Sequence, residues 1–333
     1  MTLAPRTPDP MTAPALRWGI LGTGWVADRF VPSLQRHTRQ RVVAVGSRDG
    51  DRAAAFAARH RIPCAYGTYD DLVGDGDLDV IYVATTHRSH LPCARLALEA
   101  GKPVLVEKPL ALDAEEAREL AALARERGLF CMEALWTFFL PRFDVVRQVL
   151  DGGAVGEVRA VVVDCGERFS ADHRIMRPEL DGGPLLDLGT YPVALATWVL
   201  GEPERVVAAA QPHAGGVHGQ IAAVMVHARG NQAVIHATIL SDTPTSATIA
   251  GTDGTITLHG PFYQPGSVVL TSAAGERTLF DEPAVAHDSL HFQAAAAARL
   301  IAAGQLESPI RPLRDSIATL EALDEIRRRV GRG

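Results

Sequence analysis

The chain has 333 residues, of which 47% are hydrophobic and 22% charged, and its formal net charge is −6 at pH 7. This length allows two domains with substantial cores, and the acidic balance argues against nucleic acid as a partner. No apolar run approaches the roughly 18 residues of a membrane-spanning helix, so we expect a soluble, cytoplasmic protein with no membrane partner. The four cysteines follow neither a zinc nor a redox spacing and are predicted to be buried reduced thiols.

Residues 1–15 contain four prolines and a second methionine, Met11. They lack the apolar stretch of a signal peptide, so we predict either a flexible tail or a translation start that lies at Met11. The rest of the chain is predicted to form two domains, residues 16–136 and residues 137–333.

Short apolar runs alternate with helical segments from Arg17 to about Leu135, which is typical of βαβ units around a parallel sheet. The predicted strands are Trp18–Leu21, Arg41–Gly46, Val80–Ala84, Val104–Val106 and Leu129–Glu133. The predicted helices are Asp51–His60, Leu91–Ala100 and Asp113–Arg127. In the last of these, Asp113 is the expected N-cap, with Glu116 three residues on. The pattern predicts an N-terminal Rossmann domain.

A glycine-rich turn follows the first predicted strand. It has a G-x-G-x-x-A pattern, formed by Gly22, Thr23, Gly24, Trp25, Val26 and Ala27. Glycines at these positions allow a tight turn and close approach of a pyrophosphate, whose charge is met by backbone N–H groups and the positive end of the helix dipole. Glycine-rich turns are common, but the position between a strand and a helix favours dinucleotide binding.

The end of the second predicted strand bears on the choice of cofactor. NAD-binding domains usually carry an acidic residue here for the ribose hydroxyls, but this chain has Ser47 and Arg48. A hydroxyl and a guanidinium can receive a 2′-phosphate, so we predict that NADP is preferred. Asp49 leaves NAD use possible, and Arg48 is otherwise an ordinary surface arginine.

Lysine is nearly absent from this chain, because Lys102 and Lys108 are the only lysines among 33 basic residues. An ammonium is a compact charge whose pKa shifts readily on burial, which suits proton transfer in an enclosed site. Lys108 follows a buried apolar strand, at the sheet edge where ligands bind in open α/β folds. It is therefore the first candidate for catalysis, the alternative being a solvated lysine that escaped replacement. Lys102 is better explained as a cation beside the carbonyls that end a helix.

The second half of the chain changes to long alternating segments separated by Gly and Asn/Asp turns. After a helix at about Phe143–Leu150, the predicted strands are Glu157–Asp164, Ala222–His227, Ala233–Leu240, Ser246–Ile249 and Val268–Thr271. The fold class is therefore α/β, an N-terminal Rossmann domain plus a C-terminal α/β domain with a large open, mostly antiparallel sheet. Helices on one face of that sheet would leave the other for a second subunit, so we expect a homodimer or homotetramer.

Two polar pairs in this half have the i,i+4 spacing of a helix. Asp187 and Tyr191 would share one face if their segment is helical, and a phenol can serve as acid or base when a cation such as Lys108 lowers its pKa from about 10. The alternative is an ordinary helical pair with a half-buried tyrosine. His287 and His291 have a spacing compatible with a metal, but no third ligand is evident, so we expect no metal site.

Five ordered segments together resemble the Gfo/Idh/MocA oxidoreductase family over residues 16–333. They are the Gly22–Ala27 turn, Thr85–His90, Glu107–Pro109, Cys131–Trp136 and Gly182–Tyr191. The Glu-Ala-Leu-Trp block and the final Tyr are similar to the branch of dihydrodiol and NADP-dependent aldose dehydrogenases. Any one of these segments would be a weak signal, whereas five in order are specific.

The resemblance implies roles for several residues. Lys108 would be the catalytic lysine and Tyr191 the acid/base residue, with Asp187 orienting the substrate or tuning charge. Residues that would contact the cofactor include Thr85, His87, His90 and Glu107. Within the Thr85–His90 loop, Thr86 and His87 replace the family's usual Pro and Asn.

Three more residues are candidates for the substrate. Trp136 would wall the pocket by the same resemblance, although its sequence context alone indicates a core aromatic. His173 and Arg174 precede the Gly182–Tyr191 segment and either face substrate hydroxyls or have an ordinary loop role.

The sequence thus predicts an NADP-preferring oxidoreductase that transfers hydride between nicotinamide and a carbinol carbon of an aldose, a cyclic polyol or a trans-dihydrodiol. Two alternatives remain open. The first is a redox-neutral enzyme that recycles its nicotinamide cofactor, and the second is a regulatory protein that senses the cofactor without turnover. Retention of both Lys108 and Tyr191 argues against a pure sensor.

Overall fold

The computed structural model describes residues 3–282 and 288–331. The chain divides into two compact units. The first unit comprises Pro8–Phe139 and Val285–Ser316, and the second comprises Met1–Thr7, Leu140–Ala284 and Ile317–Gly333. Each unit has one sheet, and each is described by itself below.

The first unit is built on a six-stranded parallel sheet in the order β3-β2-β1-β4-β5-β6. In chain order its elements are β1 (Arg17–Leu21), α1 (Trp25–His37), β2 (Arg41–Gly46), α2 (Gly50–His60), β3 (Cys64–Tyr66), α3 (Tyr69–Val73), β4 (Val80–Val83), α4 (His90–Glu99), β5 (Val104–Glu107), α5 (Ala114–Arg127) and β6 (Cys131–Ala134). Every residue of β4, β5 and β6 is buried, as expected for parallel strands covered on both faces. The order is that of a doubly wound Rossmann sheet, which confirms the predicted fold of this half.

Local sequence sets several of these helix ends. The Asp113 side chain accepts a hydrogen bond of 2.9 Å from the Glu116 N–H at the start of α5, as its predicted N-cap role requires. Gly128 ends the same helix in the left-handed conformation, with φ of 62°, which glycine adopts without steric cost.

The second unit contains an eight-stranded sheet in the order β14-β13-β12-β11-β7-β10-β9-β8. Its elements are α6 (Pro141–Asp151), β7 (Val158–Gly166), α7 (Pro184–Asp187), α8 (Thr190–Leu200), β8 (Arg205–Pro212), β9 (His218–Val226), β10 (Gln232–Thr238), β11 (Ala247–Gly251), β12 (Gly254–Leu258), β13 (Val268–Ser272) and β14 (Arg277–Phe280). All neighbours pair antiparallel except β7 and β10, which are parallel. The predicted open, mostly antiparallel sheet is confirmed.

Two helices follow these strands, α9 (His291–Ala302) and α10 (Leu313–Val330). The compact units differ here from the predicted domains, because Val285–Ser316, with α9, belongs to the first unit. The physical reason is visible in β6, whose Cys131 N–H donates to the Leu306 carbonyl at 3.0 Å. Hydrogen bonds between segments so distant along the chain are not visible to a linear reading.

The N-terminal residues also differ from the predicted flexible tail. Ala13 is 3% exposed and packs with Ala295 and Ala298 of α9. The Arg299 guanidinium donates to the Asp9 carbonyl at 2.5 Å and to the Thr12 hydroxyl at 2.8 Å. The segment has contacts because α9 supplies apolar and cationic partners far away in sequence.

The predicted elements did not include the short β3, α3, β12 and β14, nor the longer β8 and α9. Among the cysteines, Cys93, Cys131 and Cys165 are buried free thiols as predicted, whereas Cys64 is exposed because it starts the short edge strand β3. No helix in the described part of the chain is long and apolar enough to cross a membrane.

Candidate active site

The turn after β1 has the geometry that its glycines predict. Gly22 has φ of +106°, and a Cβ there would lie 2.5 Å from the Ala84 carbonyl oxygen. Only glycine satisfies both conditions. At Gly24 a Cβ would meet only that same oxygen, at 3.9 Å, so the space outside this residue is open.

The N-terminus of α1 faces that open space. Gly24 is its N-cap and has no side chain, so the helix lacks the capping acceptor that Ser, Thr, Asp or Asn would supply at this position. Thr23 and Val26 are half-buried, and Trp25 is 58% exposed with the Arg29 guanidinium 5.7 Å from its ring centroid. A pyrophosphate fits this arrangement, because uncapped N–H groups and the helix dipole both attract an anion.

The three residues after β2, Ser47, Arg48 and Asp49, differ in exposure and in their hydrogen bonds. Ser47 is buried and its hydroxyl accepts from the Asp49 N–H at 3.2 Å, whereas Arg48 is exposed. Asp49 caps α2, accepting from the Asp51 and Arg52 N–H groups at 3.0 and 3.1 Å. The Asp49 carboxylate is thus engaged as the cap of α2, whereas the neighbouring Arg48 side chain is exposed.

The loop after β4 is fixed by a buried histidine. His90 is fully buried, its Nδ1 lies 2.8 Å from the Pro109 carbonyl oxygen, and its Nε2 lies 3.3 Å from that of Thr85. Burial lowers the pKa of His90 to about 4, and the Lys108 charge acts in the same direction. His87 is also buried, with its ring centroid 5.7 Å from that of His90. His90 therefore links the Thr85 loop to the segment that follows Lys108.

Lys108 lies in what we call the lysine turn, residues 107–110. The Glu107 carboxylate is buried, accepts a hydrogen bond from the Tyr82 hydroxyl, and accepts the Lys108 N–H at 3.2 Å. Burial raises the pKa of Glu107 to about 7, against the opposing effects of the Tyr82 hydrogen bond and the Lys108 charge. Glu107 thus holds the backbone of Lys108, a role the cofactor-contact prediction did not include.

A second buried carboxylate holds the other end of the lysine turn. Glu133 accepts from the Leu110 N–H at 3.1 Å, the Arg311 Nε at 3.1 Å and the Ser316 hydroxyl at 2.6 Å. Glu133 and Arg311 are 1% and 0% exposed. The sequence analysis missed Arg311 and Ser316, because a partner 178 or 183 residues away leaves no periodic signal.

Asp187 and Tyr191 lie on two helices, not on one. Asp187 ends α7 and Tyr191 is the second residue of α8. The Gly189 N–H donates to the Pro184 carbonyl at 2.8 Å, which is a wider turn than an α-helix makes. A Cβ on Gly189 would lie 2.5 Å from the Leu185 carbonyl oxygen, so this position requires glycine. The helix that would place Asp187 and Tyr191 on one face is interrupted between them.

The structure does join two predicted substrate residues. Arg174 donates to the buried Asp187 carboxylate through both terminal nitrogens, at 3.2 and 2.6 Å. Such a bidentate pair fixes both groups in orientation. His173 instead accepts from the Ile175 N–H at 3.2 Å and lies against Phe169, so it caps a local turn. Its pKa is lowered, mainly by burial and then by the Arg174 charge.

An aromatic partner of Tyr191 was missed by the sequence analysis. The Tyr263 ring stacks on the Tyr191 ring with centroids 4.2 Å apart and an interplanar angle of 16°. Tyr263 is 9% exposed. The only signal in the sequence was an aromatic pair, Phe262-Tyr263, in a Gly/Pro-rich loop.

The remaining candidates have less specific surroundings. Trp136 is 4% exposed in the short 3₁₀ turn Trp136–Phe139 of the first unit, as a core aromatic would be. His287 lies outside the described residues. Within residues 3–282 and 288–331, no group of three His, Cys, Asp or Glu side chains could hold a metal ion.

The parallel βαβ sheet and the glycine turn at the N-terminus of α1 define the first unit as an NAD(P)-binding Rossmann unit. The family model described as "Oxidoreductase family, NAD-binding Rossmann fold" matches residues 16–135, and the "GFO/IDH/MocA C-terminal domain" model matches residues 143–257. The chain belongs to the Gfo/Idh/MocA family. The resemblance found in the sequence is confirmed.

Curated relatives cover nearly the whole chain. Trans-1,2-dihydrobenzene-1,2-diol dehydrogenase of Bos taurus is 35% identical over 326 residues, which is 95% of this chain and 97% of that protein. The Xenopus laevis protein of the same name is 36% identical over 327 residues, 94% of this chain and 98% of that protein. This chain is likewise an NAD(P)-dependent dehydrogenase.

Solved structures agree with this assignment. KijD10, a 3-ketoreductase from Actinomadura kijaniata solved with NADP and TDP-benzene, superimposes with a TM-score of 0.84 at 27% identity, covering 95% of this chain and 98% of that one. A levoglucosan dehydrogenase solved with NADH has a TM-score of 0.85 at 19% identity, covering 95% and 97%. The second likeness shows the fold alone.

Proposed function

We propose that this protein is an NADP-preferring dehydrogenase that acts on a carbinol carbon of a trans-dihydrodiol, a cyclic polyol or an aldose. The observation that carries the proposal is the lysine turn. Lys108 follows β5 at the carboxyl edge of the parallel sheet, its N–H donates to buried Glu107, and the Leu110 N–H donates to buried Glu133. Ligands bind at this edge in open α/β sheets. The name of the curated relatives supports a diol substrate, and that of KijD10, a 3-ketoreductase, supports hydride transfer at a carbon that carries an oxygen.

Preference for NADP rests on the residues after β2. Ser47 and Arg48 would receive the 2′-phosphate, while Asp49 is engaged as the cap of α2. Gly22, Gly24 and the N-terminus of α1 would hold the pyrophosphate, as their open cradle allows. The loops carrying Thr85 and His87 would contact the nicotinamide ribose.

The chemistry is divided between a proton carrier and a fixed charge. When bound, the nicotinamide accepts or supplies a hydride at C4. Tyr191 would take the proton of the substrate hydroxyl, and Lys108 would supply a fixed positive charge for the substrate oxygen. Asp187, held in orientation by Arg174, orients the substrate.

Replacing Tyr191 by Phe tests this mechanism, because it removes the hydroxyl and keeps the ring. We expect kcat for alcohol oxidation to fall by about 10²- to 10⁴-fold, with the melting temperature unchanged. The assay follows reduction of NADP+ and NAD+ by absorbance against sugars, inositols and dihydrodiols. A Tyr191→Phe enzyme with wild-type kcat would remove Tyr191 from the chemistry. If no substrate of the panel reduces either cofactor, the redox-neutral or sensing alternative is favoured.

We also propose that the protein assembles as a homodimer, or a dimer of such dimers, through the open face of the second sheet. Four valines lie side by side across neighbouring strands of that face, Val162, Val234, Val224 and Val207. Three of them are 50%, 42% and 57% exposed, in the order Val162, Val234 and Val207. Such a flat β-branched row can pack against its own copy across a two-fold axis. Analytical ultracentrifugation tests this assembly. We expect the wild-type protein to sediment as a dimer or tetramer and the Val162→Asp variant to sediment as a monomer.

A further inference from the structure

A fully buried arginine lies at the start of α6. Arg142 is 0% exposed, and a buried guanidinium is strongly disfavoured unless its N–H groups are bonded. Its Nη1 donates to the carbonyls of Pro261 and Gln264 at 3.4 and 2.5 Å. Its Nη2 donates to those of His259 and Ser267 at 3.2 and 2.9 Å. All four acceptors belong to one segment, residues 259–267, which we call the aromatic loop.

Arg142 is also anchored at its backbone. Its N–H donates to the Glu282 carboxylate at 2.9 Å. Burial lowers the pKa of Arg142 to about 10 and raises the pKa of Glu282 to about 7, each effect opposed by the other residue. Gly266 fits this arrangement closely, since a Cβ there would lie 3.0 Å from Nη1 of Arg142. The guanidinium therefore occupies the centre of the aromatic loop and fixes its path.

The aromatic loop carries the ring that covers Tyr191. Phe262 is 0% exposed and anchors the loop, with its N–H donating to the Thr245 carbonyl at 2.8 Å. Next to it, Tyr263 stacks on Tyr191 at 4.2 Å and meets Phe262 edge to face at 5.8 Å. The position of the Tyr263 ring is thus set on one side by Phe262 and on the other by Tyr191.

Tyr263 is poorly suited to carry protons itself. Burial raises the pKa of its hydroxyl to about 12, so it stays protonated at neutral pH. Tyr263 therefore contributes its ring to the stack, as a flat apolar surface against which the Tyr191 ring packs. Tyrosine χ2 has a broad, roughly two-fold energy profile, so the plane of the Tyr191 ring, and with it the plane of the phenolic O–H bond, is decided by what packs on the ring.

We propose that the aromatic loop, fixed by Arg142, is a positioning device for Tyr191: the stacked Tyr263 ring holds the Tyr191 ring against tilting and rotation, which keeps its hydroxyl oxygen in one place and its O–H bond in one plane. Tyr263 and Arg142 are positioning residues. The inference rests on the proposed function of Tyr191 as the proton carrier. Small misplacements of a reacting group can lower a rate by about 10²-fold, so a loosened ring is expected to lower kcat.

The test compares two substitutions of Tyr263. Tyr263→Phe keeps the stacked ring, and we expect kcat within about two-fold of wild type. Tyr263→Leu keeps an apolar group but removes the stack, and we expect kcat to fall about ten-fold or more, with the Kd for NADPH, measured by fluorescence, unchanged. A Tyr263→Leu protein that is folded and turns over like wild type would overturn the proposal.

A double-mutant cycle with Tyr191→Phe separates positioning from a general packing role. If Tyr263 acts through the Tyr191 hydroxyl, Tyr263→Leu produces no further loss of kcat in the Tyr191→Phe background. An equal loss in both backgrounds would overturn the positioning role. Wild-type kcat in Tyr191→Phe alone would instead refute the proposed function, so the two failures are distinguishable.

Arg142→Lys extends the test to the loop. A lysine keeps the charge but cannot donate in the geometry of the guanidinium to four carbonyls. We expect its kcat to match that of Tyr263→Leu. A folded Arg142→Lys enzyme with wild-type kcat would overturn the role assigned to Arg142. If Arg142→Lys does not fold, the comparison of Tyr263→Phe with Tyr263→Leu decides the proposal.

Discussion

Lys108 and Tyr191, the two residues assigned to the chemistry, are held in different ways. The lysine turn is held by buried polar groups, with Glu107 and Glu133 accepting backbone N–H groups at its two ends. Tyr191 is held mainly by shape, through a helix N-terminus and the stacked ring of Tyr263. The first arrangement depends on charge and hydrogen bonding, whereas the second depends on ring packing. The two should therefore respond differently to substitution and to pH.

The largest effect is expected at Lys108 itself. Lys108→Arg keeps a positive charge but spreads it over a planar fork, so the charge is misplaced on a turn that its carboxylates hold rigidly. We expect kcat to fall by about 10²-fold or more, comparable with loss of an acid–base group, while the Kd of the cofactor changes by no more than a few-fold. Near-normal turnover would show that Lys108 is not catalytic.

Glu133→Gln tests whether the lysine turn depends on its buried charges. The substitution leaves Arg311 buried without its counter-charge, and breaking a buried pair in this way costs about 3–5 kcal/mol. Urea denaturation of the whole chain measures the loss. Glu325→Gln is the matched control, because its partners Arg328 and Arg329 are 73% and 56% exposed, and we expect at most about 1 kcal/mol there. Similar losses in the two variants would contradict the assignment.

The titratable groups around the lysine turn should also have opposite effects on acid stability. The pKa of His90 is lowered from 6.5 to about 4 by burial, so the unfolded chain binds this proton first and stability is lost as pH falls from 6.5 to 4. The pKa of Glu107 is raised from 4.5 to about 7 by burial, so the folded chain binds this proton first and stability is gained as pH falls from 7 to 4.5. Each effect is at most about 3 kcal/mol.

Two variants separate these contributions. In Glu107→Gln we expect the free energy of unfolding to fall more steeply between pH 7 and 4.5 than in wild type. In His90→Asn, whose amide can still donate to the Pro109 carbonyl, we expect the free energy of unfolding to fall less steeply with decreasing pH than in wild type. Urea denaturation at pH 7, 6 and 5 measures both slopes, and identical slopes in the two variants would be inconsistent with this account. Tyr263→Phe, which alters only the ring stack, should leave the slope unchanged.

The smallest effect concerns the exposed arginine after β2, outside both arrangements. Arg48→Ala should weaken NADP+ binding by about 10- to 100-fold, or about 1.5–3 kcal/mol, and leave the Kd for NAD+ and the free energy of unfolding unchanged. Calorimetric titration of both cofactors measures this. Equal Kd values for NADP+ and NAD+ in the wild-type protein would remove the basis for the predicted preference.

Sequence by itself determined the features that depend on neighbours along the chain. The Gly22 turn, the Asp113 cap and the alternation of strands and helices were predicted because local sterics and hydrogen bonding dictate them. Lys108 and Tyr191 were proposed for a related reason, since one stands out in a lysine-poor chain and both lie in short segments that resemble a known family. The expected pairing of Asp187 and Tyr191 was conditional on one helix, and the sequence did not show the break between them, because the close approach of the Leu185 carbonyl to Gly189 is set by backbone packing.

Only the tertiary structure decided which side chains are the partners of the residues at the candidate site. Glu133 and Arg311 meet across 178 residues of chain, and Arg142 reaches carbonyls 117 to 125 residues away. The stack of Tyr263 on Tyr191 likewise joins two segments with no common period. Such contacts arise when burial brings distant groups together and each buried charge or ring must find a partner. The physical reason is that a linear pattern records which faces are apolar but not which faces meet.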